Sequence, residues 1–152
     1  TAQRLANCET SFAAVDEGCR SFGGVPMGPF ELMDMIGLDT NLMITKAIYE
    51  ALGKPERFTP PALQQALVDR GMNGKKTKKG FYLYQDGKII GENPEALSLL
   101  DKTATAGNIW DNLADAIFSE AKLLVAEGTA GTSDIDIAVK LAMNFPKGPF
   151  GR

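Results

Sequence analysis

A mainly α fold with one small β-hairpin and an internal duplication is what this chain of 152 residues predicts, and three observations carry that prediction. Apolar residues recur every three or four positions in most segments, and the glycines fall between the periodic stretches rather than inside them. The period switches to two only around residues 81–90, where a hairpin reads clearly. Comparing each residue with the one 120 positions later pairs Asp16 with Asp136, Pro26 with Pro146, Gly28 with Gly148, Pro29 with Pro149 and Phe30 with Phe150. The block Pro-x-Gly-Pro-Phe therefore occurs twice, each time downstream of the same aspartate.

Taken in order, Phe30, Leu32, Met33 and Ile36 step along a short helix over 29–36, with Pro29 in its first turn and Gly37 placed to end it. Asp39 is positioned to cap the next helix, whose stripe of Leu42, Met43, Ala47, Ile48 and Ala51 runs to Gly53. A third helix begins near Pro60 and Pro61, carries Leu63, Ala66 and Leu67, and stops at Gly71. Beyond the glycine- and lysine-rich stretch 71–80, Phe81-Tyr82-Leu83-Tyr84 and Lys88-Ile89-Ile90 flank Asp86-Gly87 as two strands around a tight turn. So small a sheet must pack on the helices to be stable. Asn93, ahead of Pro94, caps a short helix ending near Leu100, and 101–107 reads as a linker. The longest helix spans 108–127 on the stripe Trp110, Leu113, Ile117, Ala121 and Leu124, closed by Gly128; the last starts at Thr132-Ser133 and carries Ile135, Val139 and Ala142. Linker and repeat divide the chain into a first helical unit over 1–100, with the hairpin near 80–90, and a second over 101–152. Both read as incomplete: only residues 1–10 precede the first turn, where the second unit has a long helix, and the second stops where the first continues. Phe30 and Phe150 are expected to anchor the two blocks in the core.

Composition and spacing remove several kinds of function. Lys and Arg number 16 against 19 Asp and Glu, a net charge of −3, which offers no basic footprint for nucleic acid or an anionic membrane. No apolar run approaches the roughly 20 residues of a membrane span. The sequence has no histidine, so imidazole serves here neither as acid, base nor ligand. Cys8 and Cys19, with no signal peptide ahead of them and no further soft ligands, read as reduced thiols of a cytoplasmic protein rather than a disulfide or metal pair. Gly23-Gly24-Val25-Pro26-Met27-Gly28 lacks the spacing of a dinucleotide loop, and Gly71-Met72-Asn73-Gly74-Lys75-Lys76-Thr77 lacks the glycine separation of a phosphate loop. Lys75, Lys76, Lys78 and Lys79 read as a solvated turn, with contact to an anionic group such as a nucleotide phosphate as the functional alternative. The carboxylate pairs Asp134/Asp136 and Glu31/Asp34 need a pocket for acid–base work. Ser133 with Asp136 three positions on approximates a capping box, so capping is the expected role there. Glu120, beside Ile117 and Ala121, is expected to be partly buried in helix-packing hydrogen bonds.

Residues 25–39, Val-Pro-Met-Gly-Pro-Phe-Glu-Leu-Met-Asp-Met-Ile-Gly-Leu-Asp, strongly resemble the C-terminal domain of the 3-hydroxyacyl-CoA dehydrogenases. Lys76-Thr77-Lys78-Lys79-Gly80-Phe81-Tyr82-Leu83-Tyr84 resembles that family's Lys-Thr-Gly-Lys-Gly-Phe-Tyr-x-Tyr segment, with Lys78 where a glycine is usual. Asp134-Ile135-Asp136, followed by residues 144–150, resembles the second C-terminal copy of bacterial and archaeal members that carry two. The resemblance implies an internally duplicated helical domain of the 6-phosphogluconate dehydrogenase C-terminal-like type. Such a domain forms one wall of the acyl-CoA cleft and the dimerisation surface of an enzyme that oxidises (3S)-3-hydroxyacyl-CoA to 3-ketoacyl-CoA with NAD, in fatty acid β-oxidation or related metabolism.

The same resemblance assigns NAD and the catalytic His and Glu to an N-terminal Rossmann domain absent from this sequence, so this chain alone is expected to bind no NAD, to hold no catalytic residue and to be inactive. Its implied partners are the 3-hydroxyacyl-CoA substrate, that Rossmann domain and a second copy in a homodimer, in the cytoplasm, with no nucleic acid and no membrane. Met27, Gly28 and Pro29 are the expected substrate-binding residues. A flexible thioether suits the wall of an acyl cleft, whereas the Lys147 ammonium at the matching position does not. The family's active-site Asn falls ahead of Thr1 in the first copy, and Asp111-Asn112-Leu113 replaces the usual Asn-Arg pair in the second, so no such role passes to Asn112. Two rival functions stay open: a stand-alone helical assembly module, and a piece of a multifunctional enzyme fused to an enoyl-CoA hydratase.

Overall fold

A computed structural model describes residues 11–100 and 109–151. Cys8, the residues ahead of the first turn and the linker 101–107 lie outside the described residues. Helix α1, Phe12–Gly23, which is not among the helices expected from the sequence, starts where the Ser11 hydroxyl accepts the Ala14 N–H and stops at Gly24 in the left-handed region. Next come α2 (Pro29–Ile36), α3 (Leu38–Ala51), a 3-10 turn (Glu56–Phe58), α4 (Ala62–Asp69) and a second 3-10 turn (Lys75–Thr77). The hairpin of β1 (Tyr82–Gln85) and β2 (Lys88–Glu92) leads into α5 (Pro94–Ser98), capped as expected by Asn93, whose side chain accepts the Glu95 N–H. The C-terminal helices are α6, Ile109–Ala126, and α7, Thr132–Met143.

Two expected caps are corrected. Asp39 does not cap α3, because Gly37 at φ 100° lets α2 turn directly into a helix that already begins at Leu38. Asp39 instead pairs with Lys76 Nζ at 2.6 Å. Ser133 and Asp136 form no capping box: α7 begins at Thr132 behind Gly131 without a side-chain cap, and Asp136 accepts a hydrogen bond from another segment.

The strands are antiparallel, with Asp86 and Gly87 both at positive φ, the geometry of a type I′ turn, and a register shift between Leu83 and Tyr84. Tyr82 and Tyr84 face inward and are buried. At the centre Phe12, Phe30 and Phe81 are fully buried with ring centroids 4.9, 5.0 and 4.6 Å apart, so each ring meets the other two at tilted or edge-on angles. Phe30 is thus the anchor expected of it, whereas Phe150 is half-buried and lies against Phe118 at 5.5 Å. Gln64, buried, donates to the Leu38 carbonyl and the Asn41 side chain, tying α4 to α3.

Leu113 and Phe145 bring the C-terminal helices onto this core, and α6 packs on α1. Glu120 takes part in an ion pair rather than a helix-packing hydrogen bond: Arg57, from the first 3-10 turn, reaches it at 3.2 Å and Glu127 at 3.8 Å. On α3 only Leu42 of the expected stripe is buried; Met43, Ala47, Ile48 and Ala51 are exposed.

Candidate functional site: a proline–glycine loop held by buried carboxylates

The loop of residues 26–30 is fixed from behind by Asp16 on α1. Asp16 Oδ1 accepts the Phe30 N–H at 2.8 Å, and Oδ2 accepts the Glu31 N–H at 3.0 Å and the Tyr82 hydroxyl at 2.8 Å. The carboxylate thus occupies the N-terminus of α2, where the first amides lack intrahelical partners. Gly28 is obligatory at this approach, since a Cβ there would run into the Asp16 side chain. Burial raises the Asp16 carboxyl above its ordinary range, opposed by the hydrogen bonds from Phe30, Tyr82 and Glu31.

A second carboxylate, Asp34 on α2, accepts the Phe81 and Tyr82 N–H groups at 3.0 and 2.9 Å and the Tyr84 hydroxyl at 3.1 Å. Burial pushes it up to about 6, against those same hydrogen bonds. Gly74 and Gly80 lie so close to Asp34 that neither could carry a Cβ without displacing it. Burial and the facing aspartates raise both tyrosines. These aspartate–tyrosine pairs bind the hairpin to α1 and α2. With both oxygens of each carboxylate engaged and no solvent access, Asp16 and Asp34 hold structure rather than move protons. Glu31, the other half of the expected Glu31/Asp34 pair, turns away to Arg20 at 3.0 Å. Cys19 is a buried free thiol pushed up to about 11 by burial, which makes it unreactive.

The second block repeats the attachment. Asp136 Oδ1 accepts the Phe150 N–H at 2.8 Å across the same interval of 14 residues as Asp16 to Phe30. Gly148 presses on Asp136 as Gly28 does on Asp16, and Asn144 at φ 53° stands where Gly24 has φ 65°. The shared Asp-to-Phe interval was visible in the sequence and could have revealed the latch. The roles of Asp34, Tyr82 and Tyr84 had no comparable signal.

Of the three expected substrate residues, Met27 lines a cavity of about 270 Å³ with Glu31, Met35, Lys75, Tyr84 and the turn 87–89. Gly28 is buried on Asp16, and Pro29 opens α2, half-buried. A larger cavity of about 520 Å³ adjoins the second block, bounded by Phe118, Val139, Phe145, Lys147 and Pro149, with Gly23 contributed by α1.

Neither glycine-rich segment has the geometry of a dinucleotide loop or a phosphate loop. The N-terminus of α2, where a pyrophosphate would sit in a dinucleotide fold, is filled by the Asp16 carboxylate, and the described sheet is a two-stranded antiparallel hairpin. In the 74–79 turn, Lys76 and Lys79 are engaged by Asp39 and Glu95 at 2.6 and 2.7 Å, while the Thr77 hydroxyl is held by backbone groups. Among the described residues no group of His, Cys, Asp and Glu could hold a metal ion, and no helix is long and apolar enough to cross a membrane.

A loop latched to a buried aspartate over an aromatic hairpin defines a mainly helical module with one small antiparallel sheet. The family model of the 3-hydroxyacyl-CoA dehydrogenase C-terminal domain matches residues 1–84, more than half of the chain, and the chain belongs to that family. It is 30% identical over 160 residues to a peroxisomal fatty acid beta-oxidation multifunctional protein of Arabidopsis thaliana, covering 95% of this chain and 22% of that protein. With the 3-hydroxyadipyl-CoA dehydrogenase of Escherichia coli K12 it shares 43% identity over 68 residues, 45% of this chain and 14% of that enzyme. The crystal structure of 3-hydroxybutyryl-CoA dehydrogenase from Escherichia coli K12 superposes with a TM-score of 0.77 at 24% identity, over 98% of this chain and 48% of that one, which establishes the shared fold. The chain thus spans about half of that structure and a smaller fraction of those curated relatives.

Proposed function

We propose that these helices form the substrate-cleft and dimerisation part of an NAD-dependent (3S)-3-hydroxyacyl-CoA dehydrogenase, which converts 3-hydroxyacyl-CoA to 3-ketoacyl-CoA in β-oxidation or related acyl-CoA metabolism. The observation that carries this reading is the family's Pro-Met-Gly-Pro-Phe loop, latched so that Met27 stands at the edge of a cavity beside a second methionine, Met35. Met27 supplies an adaptable apolar contact, Gly28 lets the loop close onto Asp16, and Pro29 sets the entry into α2. NAD and the acid–base residues belong to a separate N-terminal Rossmann domain, against which this loop closes the cleft. No step of hydride transfer is carried by the described residues.

The division into units over 1–100 and 101–152 is supported by the repeated Asp-to-Phe latch. A homodimer is supported by the exposed apolar residues of α3 and its C-cap, where Met43, Ile48 and Leu52 are 65%, 44% and 55% exposed. A cytoplasmic location is the reading proposed here, with the peroxisome as the alternative that the Arabidopsis relative's name raises. The multifunctional-enzyme reading has its own support, because the match to the multifunctional protein extends over nearly the whole chain, C-terminal helices included.

The test is NADH formation from a (3S)-3-hydroxyacyl-CoA. The chain joined to its family's NAD-binding domain should turn over, and the chain alone should not. Substrate-dependent NADH formation by the chain alone, free of contaminating activity, would overturn the assignment of the chemistry to another domain.

A further inference from the structure

We propose that Lys75 and Lys88 form a phosphate-receiving pair at the mouth of the Met27 cavity, and that the ligand they receive is the phosphate-bearing end of a coenzyme A thioester. The inference rests on the acyl-CoA reading of the loop given above. The lysines around this cavity are not equivalent. Lys76 and Lys79 are neutralised by Asp39 and Glu95, whereas Lys75 and Lys88 have no ion-pair partner among the described residues and both line the cavity. They arrive from separate elements. Lys75 opens the 3-10 turn behind Gly74, and Lys88 opens β2 directly after the Asp86-Gly87 turn. The stem of Lys75 passes 3.6 Å from where a Cβ on Gly87 would stand, so the turn has room for that side chain beside it.

Both lysines line one cavity, Lys88 from the hairpin that Tyr84 and Asp34 fasten to α2 and Lys75 from the 3-10 turn beside Gly87. The one acid among the cavity's lining residues, Glu31, is already paired with Arg20 at 3.0 Å, so it does not offset the two lysines in full. A cavity lined by Met27 and Met35 together with two lysines free of ion pairs matches a slender thioester arm that ends in phosphates. At about 270 Å³ the cavity holds part of the arm only, leaving the adenine outside.

Amide shifts of the isotopically labelled chain, titrated to millimolar CoA, dephospho-CoA, pantetheine and ADP, test the pair. CoA should shift Met27, Lys75, Gly87 and Lys88. The double variant Lys75→Gln/Lys88→Gln should weaken CoA binding about tenfold and leave pantetheine binding unchanged. Lys78→Gln, which removes a charge of the same turn from outside the cavity, should leave CoA binding unchanged. Weaker binding of dephospho-CoA assigns the 3′-phosphate, and equal binding assigns the pyrophosphate; either supports the pair. No shift at millimolar CoA, undiminished affinity in the double variant, equal weakening by Lys78→Gln, or ADP binding as tightly as CoA would overturn it. Failure of the dehydrogenase reading shows elsewhere, as absent NADH formation by the protein joined to its NAD-binding domain.

Discussion

At the first proline–glycine block Asp16 collects two backbone amides and the Tyr82 hydroxyl, and Phe30 disappears between Phe12 and Phe81. At the second, Asp136 makes the same bond to the Phe150 amide, yet Phe150 stays half-buried and a cavity of about 520 Å³ opens beside it. The local latch is therefore set by the spacing of Asp, Gly and Phe, and is indifferent to what lies beyond. Whether it matures into a rigid core depends on a third element, here the aromatic hairpin, which only the first block meets among the described residues. Thr132 stands where the first block has Phe12, and that substitution alone removes one wall of the aromatic cluster.

The sharpest way to break this comparison is to remove the two aspartates in turn. Asp16→Ala leaves two amides and a buried hydroxyl without an acceptor, and should cost roughly 3 to 5 kcal/mol of stability in urea unfolding. Asp136→Ala loses one bond at a half-buried position and should cost about 1 kcal/mol. Equal costs would mean that the two blocks share one energetics and the hairpin adds nothing.

A smaller effect separates the blocks by pH. The Asp34 carboxyl is raised by burial from 3.8 to about 6, and Asp16 is raised in the same direction. A raised acid stabilises the folded chain fully below its unfolded value and loses that contribution as pH climbs through the folded value. Stability should thus decline by roughly 2 kcal/mol between about pH 4 and pH 7. Asp34→Asn, less stable throughout because it accepts fewer hydrogen bonds, should flatten most of that slope. The loss should appear in amide-exchange protection of the hairpin and α2 before it appears in α6 and α7.

The smallest effects lie at left-handed backbone positions. Lys78 at φ 60° occupies a place that suits glycine, and Lys78→Gly should stabilise by about 0.5 to 1 kcal/mol. Asn144, the counterpart of Gly24, tolerates φ 53° better than most residues, so Asn144→Gly should gain only roughly a few tenths of a kcal/mol. Thermal melting of both variants checks the order.

Much of the fold was legible because it is written in short-range signals. Pro29 and Gly37 bound α2, Asp86-Gly87 makes the hairpin turn, and Asn93 caps α5. The repeat located Asp16, but a carboxylate in a sequence reads as solvated, and nothing local says that Tyr82 and Tyr84 will bring hydroxyls to Asp16 and Asp34 from 66 and 50 residues away. The misplaced caps share one cause. Asp39 and Ser133 satisfy the local pattern, yet glycines at 37 and 131 already start those helices, and tertiary partners, Lys76 and the Phe150 amide, take the carboxylates of Asp39 and Asp136. Periodicity likewise revealed that α3 is amphipathic without revealing that most of its apolar stripe stays uncovered.

The functional side of the comparison turns on the one variable position of the blocks, Met27 against Lys147. In the chain joined to its NAD-binding domain, steady-state kinetics with a 3-hydroxyacyl-CoA should give a several-fold higher KM for Met27→Lys and a nearly unchanged KM for Lys147→Met, both at matched folded stability. Equal effects of the two substitutions, or a larger effect at Lys147 beside the bigger cavity, would contradict the assignment of the substrate loop to the first block.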